Sequence, residues 1–286
     1  MSKKKAGKVL YFVVMFILVA VFLTSAILLG DYAIKSFKSQ NTYNELQELV
    51  QQNKPSRPPA TIPPATEASG EVETVPAETE SPLVTVVNHA TGEEVQVLPQ
   101  YAELYSLNPD LVGWIEIPGT KVNYPVVQRS SETDYYLYRD FYGNYDPHGC
   151  LYAREACDVA KPSDNITIYG HRMNDGTMMG EVGFYEKKSF WEEHPIIYFD
   201  TLAEEQIYQI IYVFKTTASV GEGFRYHLYV DFTDESVFDE FITGCRQNAL
   251  YDTGLTAEYG DTLITLSTCE YTLLNGRLVV VAKRIK

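Results

Sequence analysis

Apolar and polar positions divide the chain into stretches of different kind. Val9 to Leu29 form an uncharged, mostly apolar run of 21 residues, preceded by Lys3, Lys4, Lys5 and Lys8. As a helix this run rises about 30 Å, the hydrocarbon thickness of a bilayer. The apolar core of a cleaved signal peptide is shorter, roughly 7–15 residues. The pattern therefore predicts a basic tail over 1–8 and a signal-anchor helix over 9–30. Positive charge marks the cytoplasmic flank of such a helix, so everything after Gly30 is expected outside the cell, with residues 9–29 in the lipid bilayer.

The next two stretches are polar. Residues 31–52 read as a juxtamembrane helix whose Leu46, Leu49 and Val50 form a stripe too small for a core. Residues 53–82 hold seven of the fourteen prolines together with Glu67, Glu71, Glu73, Glu78 and Glu80. No aromatic residue lies between Tyr43 and Tyr101. Such a composition buries too little apolar surface to fold, and it predicts an extended tether of at most about 90 Å.

From residue 83 to 286 the pattern changes to short apolar runs separated by Pro, Gly, Asn and Asp. Leu83–Val87 and Val95–Leu98 flank Thr91-Gly92 as a hairpin, and Pro99–Leu107 reads as a short helix. The further β-type runs are Gly113–Ile117, Tyr124–Val127, Cys150–Ala153, Ile166–Tyr169, Ile196–Phe199, Gln206–Phe214, His227–Val230, Thr262–Leu266 and Leu278–Ala282. Many short strands predict a mostly-β sandwich or closed barrel. One longer helix interrupts them. Asp234 can cap it, and Val237, Phe238, Phe241, Ile242 and Cys245 repeat at helical spacing. Helical turns are also expected at Thr133–Tyr138 and Met179–Phe190.

Charge sharpens the topology. The 286 residues carry a net charge of −15. Four lysines and no acid before Gly30 give +4, which leaves 19 basic and 38 acidic residues, or −19, beyond it. An acidic exported part argues against nucleic-acid binding. Thirty of the 37 aromatic residues lie beyond position 100, so the core is expected there. Four cysteines do not make a disulfide scaffold. Cys150 and Cys157 are compatible with a disulfide or with two buried thiols, and Cys245 reads as core. No Cys or His spacing suggests a zinc site. His89, His148, His194 and His227 stand in no motif and read as structural or surface residues.

Three residues stand at ends of β-type runs. Cys269 closes Thr262–Thr268, Arg277 opens Leu278–Ala282 after the Asn275-Gly276 turn signal, and His171 follows Ile166–Tyr169 through Gly170. A thiolate can attack an acyl carbon, an imidazole can exchange protons with amines, and a guanidinium can bind a developing oxyanion.

Thr265-Leu-Ser-Thr-Cys269 with Arg277-Leu-Val-Val-Val-Ala-Lys283 resembles the active-site end of sortases, the cell-wall transpeptidases of Gram-positive bacteria. Ile168-Tyr-Gly-His171-Arg-Met173 resembles their histidine motif. Asn108-Pro-Asp-Leu-Val-Gly-Trp-Ile115, Gly119-Thr120, Tyr124-Pro-Val-Val-Gln128 and the helix over 234–249 resemble class B. The similarity runs from about Tyr101 to Lys286.

That resemblance implies a closed eight-stranded β-barrel with added helices and no metal or cofactor. It implies that Cys269 cleaves a sorting signal after Thr to give a thioacyl enzyme. An amine of the peptidoglycan cross-bridge or stem peptide, or a pilin lysine, then resolves it. It makes His171 the general acid and base and Arg277 the stabiliser of oxyanion and substrate. Leu137 matches an apolar groove position, and Ser267, Thr268 and Glu270 flank the nucleophile as expected substrate contacts. Gly149-Cys-Leu-Tyr152 stands where the family has Gly-Ser-Ile-Phe, a departure that bears on the neighbouring groove. The partners implied are sorting-signal-bearing surface proteins, met by a single-pass membrane enzyme facing the wall. The alternatives are a pilin-polymerising class B enzyme, a surface cysteine peptidase that only hydrolyses, and a non-catalytic module on a stalk.

Overall fold

A computed structural model describes residues 3–54, 82–89, 91–219 and 221–286. The expected tether over 53–82 lies almost wholly outside the described residues. The chain divides into two compact units between Asn44 and Glu45.

In the first unit, helix α1 (Lys3–Asn53) begins and runs without a break into the second. Among the described residues it is the one helix long and apolar enough to cross a membrane. Its large apolar side chains from Tyr11 to Leu29 are exposed, as an uninterrupted apolar run must leave them when no protein covers it.

The second unit starts with the last turns of α1. Leu46 and Val50 are buried there, Gln47 Nε2 donates to the Asn123 carbonyl at 2.7 Å, and Lys54 Nζ pairs with Glu116 at 2.7 Å. The stripe that reads as too small for a core is thus part of one, because the surface it needs is supplied from far along the chain. Strands β1 (Val84–Val87) and β2 (Glu94–Val97) form the expected hairpin. A 3-10 turn at Pro99–Tyr101 leads into α2 (Ala102–Leu107).

Eight further strands close into a barrel. They are β3 (Leu111–Glu116), β4 (Asn123–Val127), β5 (Leu151–Ala153), β6 (Asn165–Tyr169), β7 (Ile196–Thr201), β8 (Ile207–Thr217), β9 (Leu263–Glu270) and β10 (Gly276–Arg284). The order around the barrel is β3-β4-β5-β6-β9-β10-β8-β7. Two pairs are parallel, β4 with β5 and β6 with β9, and the rest are antiparallel. Closure leaves no unpaired edge in this sheet.

A covered outer face explains why β10 reads as a continuous apolar run. Helix α3 (Lys188–Glu193) is short, whereas α4 (Glu235–Asn248) lays Phe238, Phe241, Ile242 and Cys245 into a cluster with Phe214, Leu263, Val279 and Val281. Alternate residues of β10 face that cluster and the barrel interior, so Leu278 through Ala282 are all buried. Asp234 caps α4 by accepting from the Ser236 and Val237 amides at 2.9 and 3.2 Å.

One expected strand is absent. His227–Val230 reads as β-type, yet Tyr226–Leu228 is a 3-10 turn. The main-chain acceptors beyond it are met from the start of β6: the Asn165 side chain donates to the Tyr229 carbonyl at 2.8 Å and the Asn165 amide to the Val230 carbonyl at 2.9 Å. With those acceptors satisfied, the segment needs no strand partner.

Candidate active site

The strands that matter most are β6, β9 and β10, which lie side by side. In the antiparallel β9–β10 ladder Cys269 and Arg277 are direct cross-strand partners. Partners in a ladder point to the same face with Cβ atoms about 4.5–5.5 Å apart. That face also carries Leu263, Val279 and Val281, so it is the outer face that α4 covers further along. At Cys269 and Arg277 the cover has ended, and both are partly exposed. Strand β9 continues through Cys269 to Glu270, farther than the apolar run suggests.

Parallel pairing brings His171 to the same level. Tyr169 is the partner of Ser267. The Gly170 amide donates to the Ser267 carbonyl at 3.4 Å, and the Thr268 hydroxyl donates to the Gly170 carbonyl at 2.8 Å. His171 and Cys269 each stand two residues past that pair. The structure therefore brings the three expected catalytic residues to one end of adjacent strands.

The imidazole is fixed from its far side. Its Nε2 lies 2.7 Å from the Leu137 carbonyl. A carbonyl only accepts, so Nε2 carries hydrogen and Nδ1 is the nitrogen left for proton exchange. The Tyr138 ring lies 5.3 Å from the imidazole, centroid to centroid. Burial pulls the His171 pKa below its ordinary value, while the Leu137 carbonyl and the more distant Asp146 oppose that fall. Arg277 Nη1 donates to the carbonyls of Asn275 and Gly276 at 3.3 and 3.0 Å, which holds the guanidinium against the turn that joins β9 to β10.

The expected substrate contacts divide. Leu137 is partly exposed at the site, and its carbonyl, more than its apolar side chain, carries the interaction just described. Ser267 shares the face of Cys269 but is buried, bonded to the Tyr226 hydroxyl at 2.6 Å. Thr268 points the other way and secures Gly170. Glu270 is also buried, with its carboxylate accepting from the amides of Thr272 and Leu273 at 2.9 and 3.1 Å. The side chains of Ser267, Thr268 and Glu270 are thus committed to the scaffold.

Sequence reasoning missed Leu137 as a main-chain acceptor, and with it Gly149. Gly149 has φ +62°, and a Cβ there would stand 2.4 Å from the Leu137 oxygen. Its only signal is its place in the segment that departs from the family pattern. A carbonyl 34 residues from its histidine leaves no trace in side-chain identity. Tyr226, bonded to Ser267 on the face that carries Cys269, stands one residue before the run His227–Val230 read as β-type. Cys150, Cys157 and Cys245 are buried, whereas Cys269 is partly open.

Comparison with known proteins bears on the family and the fold. The sortase domain family matches residues 115–285. Sortase B of Staphylococcus aureus (strain NCTC 8325 / PS 47) is 33% identical over 192 residues, covering 66% of this chain and 76% of that protein. The structure of sortase B from Bacillus anthracis in complex with AAEK1 superposes with a TM-score of 0.65 at 26% identity, covering 88% of this chain and 99% of that one. The Staphylococcus aureus sortase B–substrate complex gives a TM-score of 0.61 at 33% identity, over 66% of this chain and 86% of that one. With the family match spanning most of the barrel and the three residues gathered at one strand end, the chain belongs to the sortase family, as a cysteine transpeptidase of the sortase B type.

Proposed function

We propose that the chain cleaves a C-terminal sorting signal after Thr and transfers the released acyl group to a peptidoglycan amine. The observation that carries the reading is the cross-strand pairing of Cys269 with Arg277, with His171 at the same level of the neighbouring strand. In the first step the Cys269 proton passes to His171, and the thiolate sulfur attacks the Thr carbonyl carbon. The carbonyl oxygen gains negative charge, and Arg277, the cross-strand partner of Cys269, supplies the guanidinium that binds it. The C–N bond breaks, the imidazolium of His171 gives its proton to the leaving amine, and a thioester remains. In the second step neutral His171 takes a proton from the incoming amine, which attacks the thioester and returns the thiol. The Leu137 carbonyl favours the charged imidazolium in both directions.

The apolar run of α1 supports a single membrane span with the lysines inside and the barrel facing the wall. Surface proteins bearing sorting signals are then the donors.

The test is mass spectrometry of the full-length chain, in detergent, with a library of Thr-containing sorting peptides and a set of amines including triglycine and diaminopimelate. Transfer product, with a thioacyl adduct on Cys269, supports the reading. Hydrolysis alone across the amine set shows a peptidase instead.

A further inference from the structure

The residue following each of the two proton- and acyl-handling groups is charged: Arg172 after His171, and Glu270 after Cys269. These two are linked to each other through the protein. Arg172 Nη1 pairs with Glu186 Oε1 at 3.0 Å, Glu186 Oε2 with Lys215 Nζ at 2.8 Å, and Lys215 Nζ with Glu270 Oε1 at 3.1 Å. Each carboxylate oxygen of Glu186 thus holds a different cation, so Glu186 is a bridge between two loops.

The two ends are anchored in the loops they serve. Glu270 receives the Thr272 amide and hydroxyl on one oxygen and the Leu273 amide on the other, which shapes the turn between β9 and β10. Only 1% of its side chain is exposed, so the carboxylate depends on these partners for its charge. At the other end Gly183 lets the Arg172 guanidinium lie against the 3-10 turn that carries Glu186; a Cβ at Gly183 would come within 2.4 Å of it. The Tyr271 hydroxyl donates to the Arg172 carbonyl at 2.9 Å, a second tie between the same two loops. Burial opposes charge along the chain, but the partners prevail. They lower the carboxyls of Glu186 and Glu270, the latter to about 2, and raise Lys215. All of these groups are therefore ionised at neutral pH.

We propose that Lys215 and Glu186 are positioning residues that tie the loop after Cys269 to the loop after His171 and so hold thiol and imidazole at the same level. None of the four charged side chains is itself a catalytic residue. Strand pairing sets the register of β6 and β9, but both catalytic residues stand at or past the last ladder pair that sets it. The ion-pair chain supplies what the ladder no longer does. This inference rests on the roles given above to Cys269 and His171.

The test uses the full-length chain in detergent and the peptide that wild type cleaves fastest from the Thr-containing library, with triglycine as amine. Lys215→Met and Glu186→Gln each break the chain without altering a group at the reaction centre. Misplacement of reacting groups by about 1 Å costs on the order of 100-fold in rate, so kcat is expected to fall by about 10- to 100-fold. KM should stay within about twofold, because no substrate contact is lost. Lys215→Arg should recover most of the rate, since it restores the ion pairs. Hydrogen exchange should rise together in the loops 170–173 and 271–275. Unchanged kcat in both neutral variants overturns the proposal, as does a rise in KM alone or a loss that Lys215→Arg fails to rescue. If Lys215→Met does not fold, Glu186→Gln, on a more exposed side chain, decides. Cys269→Ala and His171→Ala separate the two levels: full turnover in either refutes the catalytic reading itself. Loss in both, with normal neutral variants, refutes only the positioning role.

Discussion

Arg277 stands directly across from Cys269 in the β9–β10 ladder, so a guanidinium and a thiol are held on one face by main-chain pairing. Neither side chain needs to search for the other. The turn between them spans only Tyr271 to Asn275, and Asn275 takes the left-handed conformation, φ +52°, that lets the chain reverse. The same pairing sets Leu278 opposite Thr268 and thereby fixes which residues look inward.

Arg277→Lys should therefore be severely impaired despite keeping the charge. Lysine lacks the planar fork that reaches both an oxyanion and the turn carbonyls. Loss of one oxyanion donor costs about 100-fold or more in kcat. Steady-state cleavage with the library peptide measures it. Near-normal turnover removes Arg277 from its role.

The four thiols should differ sharply in reactivity. Burial raises the pKa of Cys157 and pushes that of Cys245 well up, and Cys150 is closed off as well. Iodoacetamide under native conditions should label Cys269 alone, as read by peptide mapping. Cys269→Ala should abolish thioacyl formation, and Cys245→Ala should not. Equal labelling of Cys245 would show that the α4 cluster opens far more readily than its packing implies.

Gly149→Ala should harm catalysis from a distance. The methyl group would collide with the Leu137 carbonyl, and φ +62° is unfavourable for alanine. We expect a stability loss of roughly 1–3 kcal/mol from backbone strain. Displacing the carbonyl also frees the imidazole, so kcat should fall by about 10-fold or more. Chemical denaturation and kinetics on the same sample separate the two effects. A stable variant with full kcat contradicts the role given to Leu137.

How much of this was legible in the sequence depends on the range of the interaction. The barrel strands could be read because each is a local run bounded by turn residues, and the ends of those runs place Cys269, His171 and Arg277 at one end of adjacent strands. The intramolecular partners of Ser267, Thr268 and Glu270 could not be. Thr268 and Glu270 adjoin Cys269 in sequence, yet the two-residue period of a strand turns both to the opposite face. Ser267 keeps the face but lies under Tyr226, a contact 41 residues apart. The 3-10 turn at Tyr226–Leu228 was likewise decided by Asn165, far from the segment it shapes.

The histidine makes a prediction about pH. Its pKa is lowered from 6.5, chiefly by burial, so the neutral ring is the resting form at pH 7. Below pH 6.5 the unfolded chain takes up a proton at this site before the folded chain does. The stability His171 contributes is thus fully present above that pH and is lost as pH falls through the lower folded value. Nuclear magnetic resonance titration of the ring should give a midpoint under 6.5, and His171→Gln should flatten the pH dependence of the melt there. A midpoint at or above the ordinary value contradicts the burial argument.

The last prediction concerns where the folded unit begins. Leu46 is fully buried and Val50 nearly so, while Gln47 and Lys54 on either side bond to Asn123 and Glu116 of the barrel. Residues 45–54 are thus part of the same unit as the strands, and the Pro-rich stretch joins two segments of that unit. Leu46→Ala removes a buried side chain and should cost about 2–5 kcal/mol. Deleting residues 60–77 shortens the chain between Lys54 and Pro82 and is expected to change loop-closure entropy by less than about 1 kcal/mol. Denaturant melts of the full-length variants measure both. A large effect of Leu46→Ala with little effect of the deletion places the start of the folded unit at Glu45. The opposite ranking returns it to the hairpin at Val84, with the end of α1 a dispensable attachment.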